Sequence, residues 1–390
     1  MIKVLYAPFY SMRSYKTTMW LLQRDGHATR CRNIVHLLCQ KYNDVNFDII
    51  IPTNNDIDNS FEKFFGKFDT SEYVDRVRLL VNPFYAHNTV SERMNFPYKF
   101  FKEVLANSNY DVVIYENIEN ARYMKNLMLP HARLISSITH SPATEDTIFL
   151  KHNNFLLRII DGLYASDAVF YNTSYIFNNM DCILSKHFPN DIAILMDKLK
   201  ASYAYTSSYE MGSIDDVAAA KEKGSVLFMS RFSDADRTKV NDFINLVKDY
   251  KSDKYRFYIT NPSEAILNMD MQNLLDRDKL TLLPQHNRRD WKDILRRMEM
   301  VVILYDVEKC YSTGYFEAAL NKCKIITQSH KSWMYKLNEH IYPLSDDIEQ
   351  ALDSASTCPP GKNYLGCKVS SNDFTVEHSL NKLASIILCK

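Results

Sequence analysis

Short apolar runs recur along the 390-residue chain, and between them lie longer segments with apolar residues at helical spacing. That alternation constrains the fold more than any other feature. A strand buried on both faces reads as a near-continuous apolar run, and parallel strands need helical crossovers between them. In the first half, residues 2–6, 47–51 (closed by Pro52), 77–81, 111–115, 134–138 and 168–171 read as strands. Residues 30–42, 98–106, 120–128 and 155–164 read as helices. The expected architecture is α/β, with a parallel sheet covered on both faces.

Residues 207–224, SSYEMGSIDDVAAAKEKG, are polar and carry no strand pattern. They read as a linker. A second series then begins: strands at 226–229, 255–260 and 280–283, and helices at 239–250, 265–275 and 290–298. A turn-rich stretch, 357–371, precedes a last helix near 375–388. The predicted organisation is therefore a Rossmann-like domain over 1–206, a linker over 207–224, a second Rossmann-like domain over 225–374, and a C-terminal helix over 375–390 that packs back toward the N-terminal domain.

Composition bounds the functions open to such a chain. With 46% apolar and 24% charged residues it has the balance of a globular protein. No run approaches the ~18 apolar residues that cross a membrane. The apolar start, MIKVLYAPFY, is too short for a signal-peptide core, so the chain reads as intracellular, and as a host-cytoplasm protein if phage-encoded. Its 47 basic and 47 acidic side chains cancel, which argues against blanket attraction to nucleic acid but leaves room for a local patch. None of the eight cysteines forms a C-x-x-C pair, and no His cluster lies near them. No zinc site is expected, and the thiols read as free and buried. Glycine is scarce, with eight residues, while Asn, Lys, Ile, Tyr and Asp are plentiful. That bias fits a genome rich in A and T, as in many phages and some bacteria.

The segment 300–327 carries the strongest functional signal. It runs from the apolar Val301-Val302-Ile303-Leu304-Tyr305 through a polar turn, 306–314, into a helical Tyr315-Phe316-Glu317-Ala318-Ala319-Leu320, and ends in a second strand, Lys324-Ile325-Ile326-Thr327. Such a unit brings polar groups and free helix N–H groups to the carboxyl edge of a parallel sheet, where α/β proteins bind nucleotides. Upstream, Phe228-Met229-Ser230-Arg231 ends a strand and Lys239 begins a helix. Arg231 and Lys239 taken singly read as solvated charges. With the 300–327 unit they read as cations fixed at a sheet edge, suited to the charge of a departing diphosphate.

These residues resemble the nucleotide-sugar domain of GT-B retaining glycosyltransferases of the GT4-like group. That group has a strand ending in Gly-Arg (here Ser230-Arg231) and a helix opening Lys-x-x-Asp (here Lys239-Val240-Asn241-Asp242). The likeness continues through Pro284-Gln285-His286-Asn287 and Asp290-Trp291-Lys292, which line the base pocket in the family. It reaches the family's Glu-x7-Glu motif at Glu308 and Glu317, although eight residues separate these two. The resemblance implies that Glu317 holds the ribose hydroxyls and that Ser312, Thr313 and Gly314 offer backbone groups to the phosphates. It implies that Arg231 and Lys239 stabilise the leaving group without a metal or other cofactor. Glu308 reads either as the donor-sugar Glu or as an exposed loop acid. His140, at the end of the strand 134–138, sits where the family has a His facing the donor sugar. Ser166-Asp167-Ala168 to Ser174 resembles the passage before the family's linker. The Gly-rich loop after the first strand is replaced by Ala7-Pro8-Phe9-Tyr10-Ser11-Met12-Arg13-Ser14.

Within the first 41 residues, Lys3, Arg13, Lys16, Arg24, Arg30, Arg32 and Lys41 face one acid, Asp25, with Tyr10, Tyr15 and Trp20 among them. In a GT-B enzyme this half faces the acceptor. A basic, aromatic-studded face, with Arg13 and Lys16 as the acceptor contacts, suits a polyanion such as duplex DNA. The expectation is a GT-B glycosyltransferase that moves a sugar from a nucleoside diphosphate sugar, UDP-linked, to an acceptor hydroxyl, with retention. Some phages glycosylate hydroxymethylated pyrimidines in their DNA with GT-B enzymes, and the resemblance, taken with the basic face, implies such a base as the acceptor. Two alternatives stand beside it: a bacterial transferase acting on a lipid-linked or surface glycan, and a non-catalytic nucleotide-sugar-binding protein.

Overall fold

A computed structural model of the chain describes residues 1–8, 26–52, 60–65, 68–82, 96–138, 146–171, 174–201, 221–229, 240–260, 269–283, 288–304, 317–318, 321–328, 341–344, 348–357 and 376–389. They fall into two units. The first is Met1–Ser208 with Val376–Lys390, and the second is Tyr209–Thr375.

In the first unit, β1 (Ile2–Ala7), β2 (Val45–Ile51), β3 (Val77–Val81), β4 (Val112–Tyr115), β5 (Arg133–Ile138), β6 (Ala168–Tyr171) and β7 (Leu199–Ala201) form one sheet in the order β3-β2-β1-β4-β5-β6-β7. Every pair is parallel. The apolar runs explain this, since Val4 to Ala7, Ile49 to Ile51 and Val112 to Tyr115 are buried without alternation, as a sheet covered on both faces requires. Asp48 interrupts the apolar run of β2. It is satisfied by Arg78 Nε (3.0 Å) and Nη2 (2.7 Å) and by the Tyr110 hydroxyl (2.5 Å).

Helix Asp146–Ala165 buries Leu156, Ile159, Ile160 and Leu163 against Ile138 and Val169. A fully buried side chain of this kind stabilises by about 1.5–3 kcal/mol. Gly162 lets that helix lie against the short 3-10 turn Ile118–Asn120, because a Cβ there would stand 2.1 Å from the Ile118 carbonyl oxygen. The C-terminal helix, Val376–Ile387, belongs to this unit. It buries Leu383, Ala384 and Ile387. Lys41 Nζ donates to Asn381 Oδ1 (2.6 Å), and Arg133 Nη1 to the Ile386 carbonyl (3.1 Å).

The second unit holds β8 (Glu222–Phe228), β9 (Arg256–Ile259), β10 (Leu280–Leu282), β11 (Met298–Ile303), β12 (Lys324–Gln328) and β13 (Ile341–Leu344), in the order β10-β9-β8-β11-β12-β13, again parallel throughout. Helix Val240–Asp249 covers it through Val240, Phe243, Ile244 and Val247, with the Phe243 ring stacked 4.6 Å from that of Phe228. In each unit the strand order reverses beside the first strand, at β1/β4 and at β8/β11. Ligands of open α/β sheets bind outside the carboxyl ends at such switch points.

Several details correct the sequence reading. Strand β8 begins at Glu222, inside the polar stretch taken as linker, and Gly224 within it has φ +76°. Glu222 and Lys223 are polar because they lie at the strand's incompletely buried amino end. Strand β11 starts at Met298, directly after helix Arg288–Arg297. Its Glu299 is anchored by Lys324 Nζ (3.0 Å) and the Gly224 N–H (2.7 Å). Helix Ser174–His187 is not signalled by propensity, with Asn178, Asn179 and Asp181 in its sequence; Ile176, Met180, Ile183 and Leu184 carry it by packing. Pro343 hides β13, which among the described residues pairs with β12 alone and so tolerates a residue lacking an N–H. Cys31, Cys39 and Cys323 are buried, but Cys182 and Cys389 are exposed, against the expectation of burial. Among the described residues no helix is long and apolar enough to cross a membrane.

Candidate functional sites

Glu317 lies in the connection from β11 to β12 of the second sheet. The residue is 3% exposed, and the indole N–H of Trp291 donates to its Oε2 at 2.7 Å. Trp291 comes from helix Arg288–Arg297, which leads into β11, so two of the segments predicted to serve the nucleotide meet in one buried contact. The local chain explains the placement. Residues 317 and 318 are helical, the Asn321 N–H and Nδ2 both bond the Glu317 carbonyl (3.2 and 2.8 Å), and the Cys323 N–H bonds the Ala318 carbonyl (3.0 Å). Lys322 takes the left-handed conformation (φ 55°) that ends helices, and β12 follows. Lys221 ties this terminus to the preceding helix, donating to the carbonyls of Asn321 (2.5 Å) and Leu295 (3.0 Å). Burial holds its ammonium below the ordinary lysine range.

The other residues predicted to serve the nucleotide sugar, Ser230, Arg231, Lys239, His286, Glu308, Ser312, Thr313 and Gly314, lie outside the described residues. So do His140, Arg13 and Lys16 of the first unit. Their neighbours in the chain are described. The Met229 N–H bonds the Val302 carbonyl (3.0 Å) beyond the end of β8, and Ser230 and Arg231 come next; Val240, after Lys239, opens its helix.

The first sheet has a site that the sequence reading missed. Glu116 follows β4 directly, and its N–H continues the ladder to the Ala7 carbonyl (3.1 Å). The carboxylate is 1% exposed. It accepts from the Tyr6 hydroxyl (2.8 Å), contacts the Arg30 guanidinium, and meets His27 Nδ1 at 3.3 Å. Tyr6 lies on β1, while His27 and Arg30 stand in the first turns of helix Gly26–Lys41, which leads from β1 to β2. Burial, then the negative charge of Glu116, pushes the Tyr6 phenol up, so it stays a donor; the same two causes raise the Cys31 thiol and keep it inert. Ser137 of β5 is level with Glu116, one step past the Tyr115–Ser136 pair. Its hydroxyl is buried and has no hydrogen-bond partner among the described residues. The signal for this site was present in the sequence: an acid directly after the strand Asp111 to Tyr115, and a His-x-x-Arg opening the first helix.

Arg30 and Arg32 are also corrected here. Both were counted on a basic face, yet they are 3% and 2% exposed. Arg30 is engaged with Glu116, and Arg32 Nη2 donates to Thr29 Oγ1 (3.0 Å) and lies over the Phe64 ring.

The fold and these two edges define an α/β protein with the GT-B type of architecture. Solved structures similar to it over their full length include the lipopolysaccharide outer core galactosyltransferase WaaB in its apo form (12% identity, TM-score 0.58, covering 100% of this chain and 99% of that one). Alr3699/HepE of Anabaena in complex with UDP is similar at 11% identity and TM-score 0.60, with 100% of both chains covered. UDP-GlcNAc 2-epimerase of Neisseria meningitidis bound to UDP-GlcNAc is similar at 11% identity and TM-score 0.57, again over 100% of both chains. The likeness at these identities is one of fold. No protein-family model matches the chain, and no curated protein matches it in sequence.

Proposed function

We propose that the chain is a glycosyltransferase that moves a sugar from a UDP-linked donor to an acceptor hydroxyl, with retention of the anomeric configuration. The observation that carries this reading is the buried Trp291–Glu317 contact, which joins the two connections on either side of β11 in the second sheet. It lies in a fold whose solved neighbours hold UDP and UDP-GlcNAc. A carboxylate held in that place is suited to accept from a ribose diol. Arg231 and Lys239 meet the diphosphate's charge in place of a metal, Ser312 to Gly314 offer N–H groups to the phosphates, and His140 contacts the donor sugar. His286 borders the base, and Glu308 takes the donor-sugar side of the Glu pair.

The acceptor we propose is a hydroxymethylated pyrimidine in phage DNA, reached through Arg13 and Lys16. With Arg30 and Arg32 buried, fewer cations support it, and that burial favours a second reading, a lipid-linked or surface glycan. The epimerase neighbours favour a third, rearrangement of the UDP-sugar itself. One experiment separates them. UDP-sugars are incubated alone, with hydroxymethylated duplex DNA, and with glycan acceptors, and products are identified by mass and by the configuration at the anomeric carbon and C2. The proposal expects sugar transfer that Glu317→Ala abolishes together with UDP binding. Epimerisation at C2 without an acceptor, or UDP binding that survives Glu317→Ala, overturns it.

A further inference from the structure

Resting on the reading of Glu317 as the acid that meets the UDP ribose, we propose that Lys221 is a positioning residue for the nucleotide: its ammonium fixes the spacing of the two helical segments that carry Trp291 and Glu317, and through them the orientation of the Glu317 carboxylate. Lys221 lies directly before β8 and joins the same two segments as the Trp291–Glu317 contact, one turn further on. Leu295, whose carbonyl it bonds at 3.0 Å, stands one turn after Trp291 in helix Arg288–Arg297. Asn321, whose carbonyl it bonds at 2.5 Å, stands one turn after Glu317, since its N–H bonds the Glu317 carbonyl. The two bridges are therefore successive rungs between the same pair of segments, about 6 Å apart along each axis.

The lower rung needs a cation with several donors. The last carbonyls of a helix have no N–H of their own. The Glu299 N–H, which would continue the ladder to Leu295, goes to Ser225 Oγ (2.8 Å) instead. Lys221 brings three N–H donors on one charge, enough for both carbonyls and a contact with Cys323 Sγ (3.5 Å). Among the described residues its bonds run to these three atoms, so the ammonium acts on the two segment ends, whose dipoles favour positive charge. Burial works against that charge, and the titratable groups that face it are Cys323, Glu299 and Lys322. Glu299 is itself paired with Lys324 (3.0 Å), and Arg297, at the helix end, is turned to Glu222 (3.9 Å). Burial raises the Cys323 thiol, which stays neutral and adds a bond to the Leu295 carbonyl (3.2 Å), but a thiol is too weak a donor to replace the ammonium.

Two measurements test this. In calorimetric titrations at pH 7, Lys221→Met, which keeps the stem but removes the donors, should weaken UDP binding on the order of tenfold. Lys198→Met is the control. Lys198 closes the end of helix Asp146–Ala165 in the first unit in the same way, donating to the Leu163 and Tyr164 carbonyls (3.0 Å each), so its loss should lower stability and leave UDP affinity unchanged. Unchanged UDP affinity in Lys221→Met, or an equal loss in Lys198→Met, overturns the proposal. The second measurement needs no variant. Coupling is reciprocal, so an ammonium that favours UDP by about tenfold has its titration midpoint raised by UDP by about one pH unit. Lysine side-chain NMR of the wild type, with and without UDP, should show that rise at Lys221 and none at Lys198. An unmoved Lys221 midpoint overturns the proposal even where Lys221→Met does not fold. A wild type that does not bind UDP, or whose UDP binding survives Glu317→Ala, defeats the reading of Glu317 itself; that outcome is distinct from UDP binding that depends on Glu317 and is indifferent to Lys221.

Discussion

Glu116 and Glu317 are both buried acids in the connection that leaves the strand beside the first strand of their unit, β4 in one and β11 in the other. Their surroundings differ. Glu116 is met by the protein's own guanidinium, by an imidazole and by a phenol, and it follows its strand without a gap. Glu317 stands thirteen residues beyond the last described residue of its strand segment, Leu304, and is met by an indole N–H, a neutral donor. An acid matched by a cation of its own chain is suited to anchoring side chains. Under the proposed function, the acid that accepts from an indole N–H is the one read as meeting a polar ligand. The same residue type in corresponding connections of two similar sheets is thus read as positioning in one and as binding in the other.

The largest expected effect comes from removing the cation at the first edge. Arg30→Met leaves Glu116 buried without its guanidinium and should cost about 3–5 kcal/mol of stability. Urea unfolding followed by circular dichroism measures it, with the two units fitted as separate transitions where they part. A cost near zero would mean that Glu116 is not anchored by charge, and the contrast with Glu317 would dissolve.

Two glycines compare the backbones beneath these edges. Gly224→Ala combines a left-handed backbone with a Cβ placed 2.3 Å from the Lys254 carbonyl oxygen, and should cost about 2–4 kcal/mol. Gly162→Ala, in a helix with ordinary φ, meets only the Ile118 contact and should cost about 1–3 kcal/mol. The reverse order would show that helix Asp146–Ala165 cannot yield while strand β8 can. Trp291→Phe follows. It keeps most of the ring's packing but removes the donor to Glu317, at about 1.5–3 kcal/mol, the worth of a hydrogen bond to a charged group. If it costs more than Arg30→Met, Glu317 depends on its neutral partner more than Glu116 does on its cation, and the comparison reverses.

Much of the fold was legible because burial on both faces leaves unbroken apolar runs. Val112 to Tyr115 and Val301 to Ile303 announce central strands, and the order of strands and helices then implies parallel pairing. What the pattern could not show was structure carried by tertiary packing, as in Ser174–His187, or concealed by one residue, as Pro343 conceals β13. Glu317 was legible because it stands inside a strand–loop–helix–strand unit. The Trp291 contact was not, since an aromatic on a helix reads as core until its N–H partner is known. Glu116, His27 and Arg30 escaped for a related reason. Two of the three lie 86 and more residues from the third in sequence, and only the β1–β4 pairing brings them together. Reading Arg30 and Arg32 as surface cations failed because the sign of a charge does not reveal whether a buried partner awaits it.

The smallest expected effect lies at Asp353, on helix Ile348–Thr357 of the second unit, and it isolates burial as the variable. By hydrogen-bond geometry Asp353 is at least as well placed as Glu116, with Lys254 Nζ at 2.5 Å and the Tyr255 hydroxyl at 2.6 Å. Lys254 first, and the Tyr255 hydroxyl next, hold its carboxyl below the ordinary range. A carboxyl lowered in the folded state contributes stability above its unfolded pKa of about 3.9, and that contribution disappears as pH falls through the lower folded value. Yet half of this side chain meets solvent, at 53% exposure, so water and salt screen the pair. Asp353→Asn should therefore leave the unfolding midpoint at pH 7 within experimental scatter, and any small difference from wild type should vanish as pH falls through the carboxyl's lowered pKa. A loss at pH 7 approaching that of Arg30→Met would show that partner geometry, rather than exclusion of water, sets the strength of these carboxylate contacts. The anchoring role given to Glu116 would then apply equally to any well-bonded acid on the surface.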